Sequence, residues 1–301
     1  MTSAQNTKKS QSLFSLESKN SSPSGRNVEA QSPKGIFDSG IGGLTVLKEI
    51  VKKLPQYDYV YLGDNARAPY GSRSFETVYQ YTLECVQKLF AMNCPLVILA
   101  CNTASAKALR NIQQLDLPEI APAKRVLGVI RPTTELAGKL TKTKHVGVLG
   151  TTGTIQSDSY KIEIEKFFPG IKVFQQACPM WVSLVENNEM KSLASDILIN
   201  KCLKELFSKS KKIDTIILGC THYPLLLKKI KKYSPKRVKI ISQGTIVADS
   251  LVNYLQRHPE IENKCSQNRR REFYTTDSPE SFNKLANTFF GKKVTSQHLS
   301  L

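Results

Sequence analysis

Short apolar runs alternate along this chain with longer stretches in which apolar residues recur every three or four positions. The short runs read as buried parallel strands and the longer stretches as amphipathic helices. Strands are expected at 36–37, 57–62, 96–99, 126–130, 145–149, 172–175, 215–218, 238–241 and 272–275. Helices are expected at 44–51, 74–92, 103–114, from Pro132 onward, from Thr154 through Phe168, at 246–255 and at 280–290. The stretch 180–207 reads as two helical pieces broken near Asn187-Asn188, and another helix follows Pro224. Such alternation predicts an α/β fold of mainly parallel sheets joined by right-handed crossovers.

Two of the strand patterns are near copies. Leu96-Val97-Ile98-Leu99-Ala100 leads into Cys101-Asn102-Thr103, and Thr215-Ile216-Ile217-Leu218-Gly219 leads into Cys220-Thr221-His222. Ligands of open α/β sheets bind outside the carboxyl ends of the strands. Each cysteine is therefore expected at the mouth of a strand and the start of a helix, where exposed N–H groups favour a thiolate. Two such strands suggest two similar α/β domains facing each other across a cleft.

Composition narrows the class. A length of 301 residues with 40% hydrophobic content suits two domains. No apolar run reaches the length of a membrane span, and the N-terminus carries no secretory apolar segment. The seven cysteines are scattered without a CxxC pair, which points away from a disulfide scaffold or zinc finger and towards a reducing, cytoplasmic compartment. The formal net charge is +18, but the densest basic run, 228–239, lacks interleaved aromatic or glycine-rich recognition features. It reads as a solvated helix end and linker, so neither nucleic acid nor a membrane is the expected partner. Residues 1–34 are rich in Ser, Asn, Gln and Lys and read as a disordered tail.

The paired cysteines then limit the chemistry. Cys101, Cys220 and His222 are potential zinc ligands, but their neighbours are small hydroxyl and amide residues suited to a polar ligand. Acyl transfer by Cys220 with His222 as base leaves Cys101 unused. A two-base proton transfer uses both thiols, one removing a proton from one face of a carbon and the other delivering one to the opposite face. Asp38 and His222, also at strand ends, are the natural proton partners of the thiols.

Several motifs, in order from about Gly35 to Gly291, resemble glutamate racemase: Gly35-Ile36-Phe37-Asp38-Ser39-Gly40-Ile41-Gly42-Gly43, Gly63-Asp64 with Pro69-Tyr70-Gly71, and Ala100-Cys101-Asn102-Thr103-Ala104. Gly150-Thr151 with Thr154, Gly219-Cys220-Thr221-His222-Tyr223-Pro224 and Phe273-Tyr274-Thr275-Thr276 complete the set. The resemblance implies a cofactor-independent enzyme that supplies D-glutamate for peptidoglycan. It implies two catalytic thiols, Cys101 and Cys220, assisted by Asp38 and His222, with Glu186 as a further assisting carboxylate near the second thiol. Asp38, Ser39, Pro69, Tyr70, Gly71, Asn102, Thr103, Thr154, Thr221 and His222 match substrate-binding positions. Amide, hydroxyl and backbone N–H donors suit the two substrate carboxylates, and Asp38 suits the ammonium.

The resemblance also implies interleaved three-layer domains: 35–126 with 241–292, and 127–240, followed by a C-terminal tail over 293–301. A homodimer and, as in some relatives, a cell-wall precursor as activator are implied in the same way. Alternatives within reach are an aspartate or other amino-acid racemase of the same superfamily and an additional gyrase- or nucleic-acid-associated role. The chain departs from the family pattern at Pro132-Thr133 and at Ile241-Ser242-Gln243-Gly244, where Gly and Asp are usual.

Overall fold

The computed structural model describes residues 31–301. The expected disordered tail lies outside the described residues up to position 30.

Among the described residues ten strands form two sheets, and every strand pair is parallel. The larger sheet contains β1 (Lys34–Asp38), β2 (Tyr59–Gly63), β3 (Leu96–Leu99) and β4 (Arg125–Gly128). The smaller is built from β5 (His145–Gly150), β6 (Lys172–Ala177), β7 (Thr215–Gly219) and β8 (Lys239–Ile241), in the order β6-β5-β7-β8. The chain then returns to the larger sheet with β9 (Arg271–Thr275) and β10 (Ser296–His298), giving the order β10-β9-β2-β1-β3-β4.

The central strands are buried on both faces, which is why β2, β3 and β7 read as apolar runs, whereas β1 buries Lys34 and Asp38 at its two ends. Successive side chains still point to opposite sides. Ile36, Tyr59, Tyr61 and Ile98 join one apolar cluster, whereas Phe37, Val60, Leu62 and Leu99 join another. The first cluster continues into Trp181, Leu206 and Leu218, so one face of the larger sheet and one face of the smaller share a core. Val146, Val148 and Ile217 pack on the smaller sheet's other face.

Several boundaries differ from expectation. Ser32 pairs with the chain at Cys265 and Lys34 opens β1, so residues 31–34 belong to the folded body. The expected tail over 293–301 contains β10, which bonds to β9, and the buried Val294. The expected domain limits near 126 and 240 fall inside β4 and β8. The helix expected over 103–114 is interrupted after Asn102–Lys107 and contains a π turn over Ile112–Asp116. The helix expected to run through Phe168 is two helices, Thr152–Gln156 and Ser159–Phe167, separated by Asp158 at φ +52°.

Asp214, just before β7, fastens the turn that leads into β5. It accepts from Thr141 Oγ1 at 2.6 Å, Lys142 N at 2.7 Å and Thr143 N at 2.9 Å. Burial pushes its carboxyl up, but these bonds outweigh burial and hold it down at about 2. Its stabilisation is therefore present above the ordinary carboxylate range and is lost as pH falls through about 2. Asp214→Ala is expected to cost about 2–3 kcal/mol in denaturant unfolding at neutral pH, because these three donors and Thr215 Oγ1 lose a charged acceptor.

Candidate active site

The carboxyl ends of β1, β3, β5 and β7 carry the polar motifs. Ala100 N bonds to Phe37 O at 2.8 Å, continuing the β1–β3 pairing up to Cys101. Cys101 then caps the helix Asn102–Lys107, its Sγ accepting from Ala104 N at 3.5 Å. Ser39 Oγ lies 3.3 Å from the same sulfur. Burial pushes the Cys101 thiol up to about 12, and the Asp38 charge adds to it. The bonds from Ser39 and Ala104 pull the other way. The helix start thus acts in the expected direction, but burial wins, and the expected thiolate-favouring shift at Cys101 is reversed.

Asp38 ends β1 and is 1% exposed. Its Oδ2 accepts from Gly40 N at 3.1 Å, while Oδ1 has no hydrogen-bond partner among the described residues. Burial raises its pKa, opposed by the His222 charge and by the Gly43 and Gly40 N–H groups. A buried carboxylate oxygen without a partner costs free energy that a donor on a ligand would recover.

Cys220 follows β7. Its Sγ stands 3.8 Å from His222 Nδ1, and His222 Nε2 stands 2.9 Å from Glu186 Oε1. The edge-on ring of Phe289 packs against the imidazole. Burial pulls the His222 pKa down, but the hydrogen bonds to Cys220 and Glu186 outweigh it and hold the ring at about 10. These two contacts favour the protonated ring, with Nε2 facing Glu186 Oε1 and Nδ1 facing Cys220 Sγ.

The loop after β1 joins the two halves. Ser39 touches Cys101, whereas Thr45 Oγ1 donates to Thr221 O at 2.9 Å. At Gly42 an added Cβ would lie 2.2 Å from Thr221 Oγ1 and 2.5 Å from the His222 ring. The fold thus brings both cysteines, Asp38, Ser39, Thr221, His222 and Glu186 around one loop. The other threonines form a second group: Thr103 Oγ1 lies 2.9 Å from Thr151 Oγ1 and 3.3 Å from Thr154 Oγ1. The turn Tyr70–Ser72 leans on it, because a Cβ at Gly71 would come within 2.9 Å of Thr151. The hydroxyl of Tyr70 is turned elsewhere, donating to Asp64, and Pro69 precedes it through a cis peptide bond. What this turn offers the site is backbone.

The site is closed, with Cys101 and Cys220 only 5% and 6% exposed. Open clefts lie elsewhere, one of about 500 Å³ beside Lys204, Tyr233 and Arg237 and one of about 400 Å³ beside Gln113 and Leu127. Among the described residues no group of three His, Cys, Asp or Glu side chains is placed to hold a metal ion. All seven cysteines are free thiols.

The family described as Asp/Glu/Hydantoin racemase matches residues 40–251. The chain belongs to this racemase family. A glutamate racemase of Streptococcus suis is 40% identical over 273 residues, covering 89% of this chain and 98% of that one. A glutamate racemase of Bacillus anthracis has the same fold with a TM-score of 0.82 and 37% identity, over 90% of this chain and 98% of that one. A glutamate racemase of Francisella tularensis, solved with D-glutamate, gives 0.80 and 33%, with the same coverage. Membership of the racemase family makes this chain an isomerase of the two-domain α/β type.

Sequence reasoning missed four contributors to this racemase site. Tyr160 and Gln243 bond directly to the Asn102 amide. Phe289 backs His222, and Gly42 lets the loop reach it. Two of them carried a signal, Gly42 inside the first family motif and Gln243 inside the stretch 241–244 that departs from the family pattern; a tyrosine or phenylalanine inside a helix reads as core.

Proposed function

We propose that this protein interconverts L- and D-glutamate without a cofactor, moving the α-proton between two thiols and supplying D-glutamate for peptidoglycan. The observation that carries the reading is the meeting of two strand-end cysteines around one loop, with Asp38 beside Cys101 and His222–Glu186 beside Cys220. In one direction Cys220 removes the proton from L-glutamate and Cys101 delivers one to the opposite face. In the reverse direction the roles exchange. Asp38 Oδ1 accepts from the substrate ammonium. The hydroxyls of Ser39, Thr103, Thr154 and Thr221, the Asn102 amide and the backbone of 69–71 bind the two carboxylates. His222 and Glu186 shuttle charge beside Cys220.

Circular dichroism of the purified protein with D-glutamate, and with no added cofactor, tests the reading; an unchanged signal overturns it. Comparison of rates on L-glutamate and L-aspartate separates glutamate from aspartate racemisation. The same reading includes a cytoplasmic homodimer, for which sedimentation velocity gives the mass.

Glu186→Gln removes one of the two bonds that hold His222 protonated. Racemisation is expected to fall about tenfold, the value of one charge-assisted bond. His222 is raised from 6.5 to about 10, so its stabilisation is complete below 6.5 and is lost as pH rises through about 10. In the variant that loss begins at lower pH, and the alkaline limb of the rate profile moves down with it. A profile superimposable on wild type refutes the role given to Glu186.

A further inference from the structure

Asn102 stands next to Cys101, yet its amide is bonded to residues far away in the chain. Asn102 Nδ2 donates to Gln243 Oε1 at 2.7 Å, Tyr160 OH donates to Asn102 Oδ1 at 2.6 Å, and Gln243 Nε2 donates to Tyr160 OH at 2.7 Å. The three side chains form a closed ring in which each donates once and accepts once. They are 2%, 0% and 3% exposed for Asn102, Tyr160 and Gln243, so water does not compete.

The direction of the ring is set from outside it. Val129 O, a carbonyl that can only accept, lies 3.3 Å from Gln243 Nε2. Thr133 Oγ1 gives its own proton to Val129 O at 2.9 Å and so can only accept from Gln243 Nε2, at 3.1 Å. The nitrogen end of Gln243 must face these two groups. Its oxygen then faces Asn102, which must answer with Nδ2, and Asn102 Oδ1 must face the Tyr160 hydroxyl. A reversed Asn102 amide would set nitrogen against a donor and oxygen against oxygen, both buried. Bonds in such a ring also polarise one another.

We infer that Gln243 and Tyr160 are positioning residues that fix the Asn102 amide in one orientation and so set how the site grips its substrate. The inference rests on the proposed role of Asn102 as a substrate contact. The ring uses one N–H and one lone pair of that amide, leaving the other N–H and lone pair in known directions. It also spans the fold. Tyr160 lies on the helix Ser159–Phe167 against the smaller sheet, and Gln243 opens the helix Gln243–Arg257. Gln243 follows directly on β8, so Asn102, which follows β3 of the larger sheet, is held by two segments of the smaller one.

Asn102→Ala, Tyr160→Phe and Gln243→Glu separate the two levels of the argument when assayed in both directions beside thermal melting. Asn102→Ala is expected to raise KM about tenfold or more. Tyr160→Phe opens the ring and is expected to raise KM about tenfold in both directions, with kcat within about threefold of wild type. Gln243→Glu keeps the shape and, while neutral, one proton to give to Tyr160 OH, but once ionised it donates to neither Tyr160 nor Val129 O. Its KM is expected near wild type at acidic pH, where the carboxyl is neutral, and to climb as pH rises. This pH dependence keeps the test decisive even if Tyr160→Phe folds poorly. An Asn102→Ala variant with unchanged KM overturns the substrate role of Asn102 and the inference with it. Raised KM in Asn102→Ala, with unchanged KM in folded Tyr160→Phe and a pH-independent KM in Gln243→Glu, overturns the inference alone. A fall in kcat that merely follows melting temperature, without a KM split, shows a structural role and also overturns it.

Discussion

Cys101→Ala and Cys220→Ala are each expected to lose at least about a thousandfold in racemisation, with circular dichroism and melting temperature near wild type. Each thiol sits at the end of a strand whose pairing continues without it, so the backbone frame survives. Serine replacements sharpen the result. A serine hydroxyl is a far weaker base than a thiol at neutral pH, but elimination from a substrate with a β-leaving group needs only the thiol that removes the α-proton. Cys101→Ser is expected to retain elimination from the L-form and Cys220→Ser from the D-form. The reverse pattern exchanges the faces assigned to the thiols and keeps the two-base chemistry. Equal loss of elimination from both enantiomers in both variants defeats the division of labour, and near-wild-type racemisation in either alanine variant defeats the mechanism.

Gly42→Ala is expected to lower kcat/KM by about a hundredfold, though it touches neither sulfur. The added methyl would stand 2.2 Å from Thr221 Oγ1 and 2.5 Å from His222 Nδ1 and Cε1. Such approaches are impossible, and the ring has little room to retreat because Glu186 and Phe289 hold it from other sides. The loop after β1 must instead lift away from the turn after β7, separating the surroundings of one thiol from those of the other. Overpacking of this kind costs about 1–3 kcal/mol, so the melting temperature falls as well. Gly40→Ala is the control: its Cβ meets nothing closer than 3.6 Å, and stability is expected close to wild type. Undiminished kcat/KM in Gly42→Ala would mean that the close approach of loop and imidazole is not required for turnover.

Much of this was legible in the residues because burial on both faces removes polar residues from a strand. β2, β3 and β7 therefore announce themselves, and the cysteines at two strand ends announce the site. Three kinds of feature were hidden. Asp158 adopts φ +52° and breaks a helix although the apolar pattern runs on through it. The strand β10 is three residues long with two of them exposed, so it carries no period to read. The height of the Cys101 pKa depends on how completely neighbouring segments cover it, and local pattern carries only the opposing helix-start effect. Tyr160 was hidden for a related reason, and Gln243 showed only as part of a departure from the family pattern: their role is a bond between distant segments.

The return of the chain to its first sheet fixes an order of events during synthesis. β9 and β10 come from the last 31 residues, and β9 covers the edge of β2, among the first strands made. Gln243 and Phe289, which hold Asn102 and His222 in place, also emerge only after both thiols. At ribosomal speeds the final 31 residues take roughly 2–6 s to appear. Throughout that interval the nascent chain carries both cysteines with an unfinished sheet edge and an imidazole that still lacks Phe289. A transcript broken before codon 271 would thus yield a protein with both thiols of the reaction but without Phe289 behind the imidazole, open at an edge where chaperones and proteases act first.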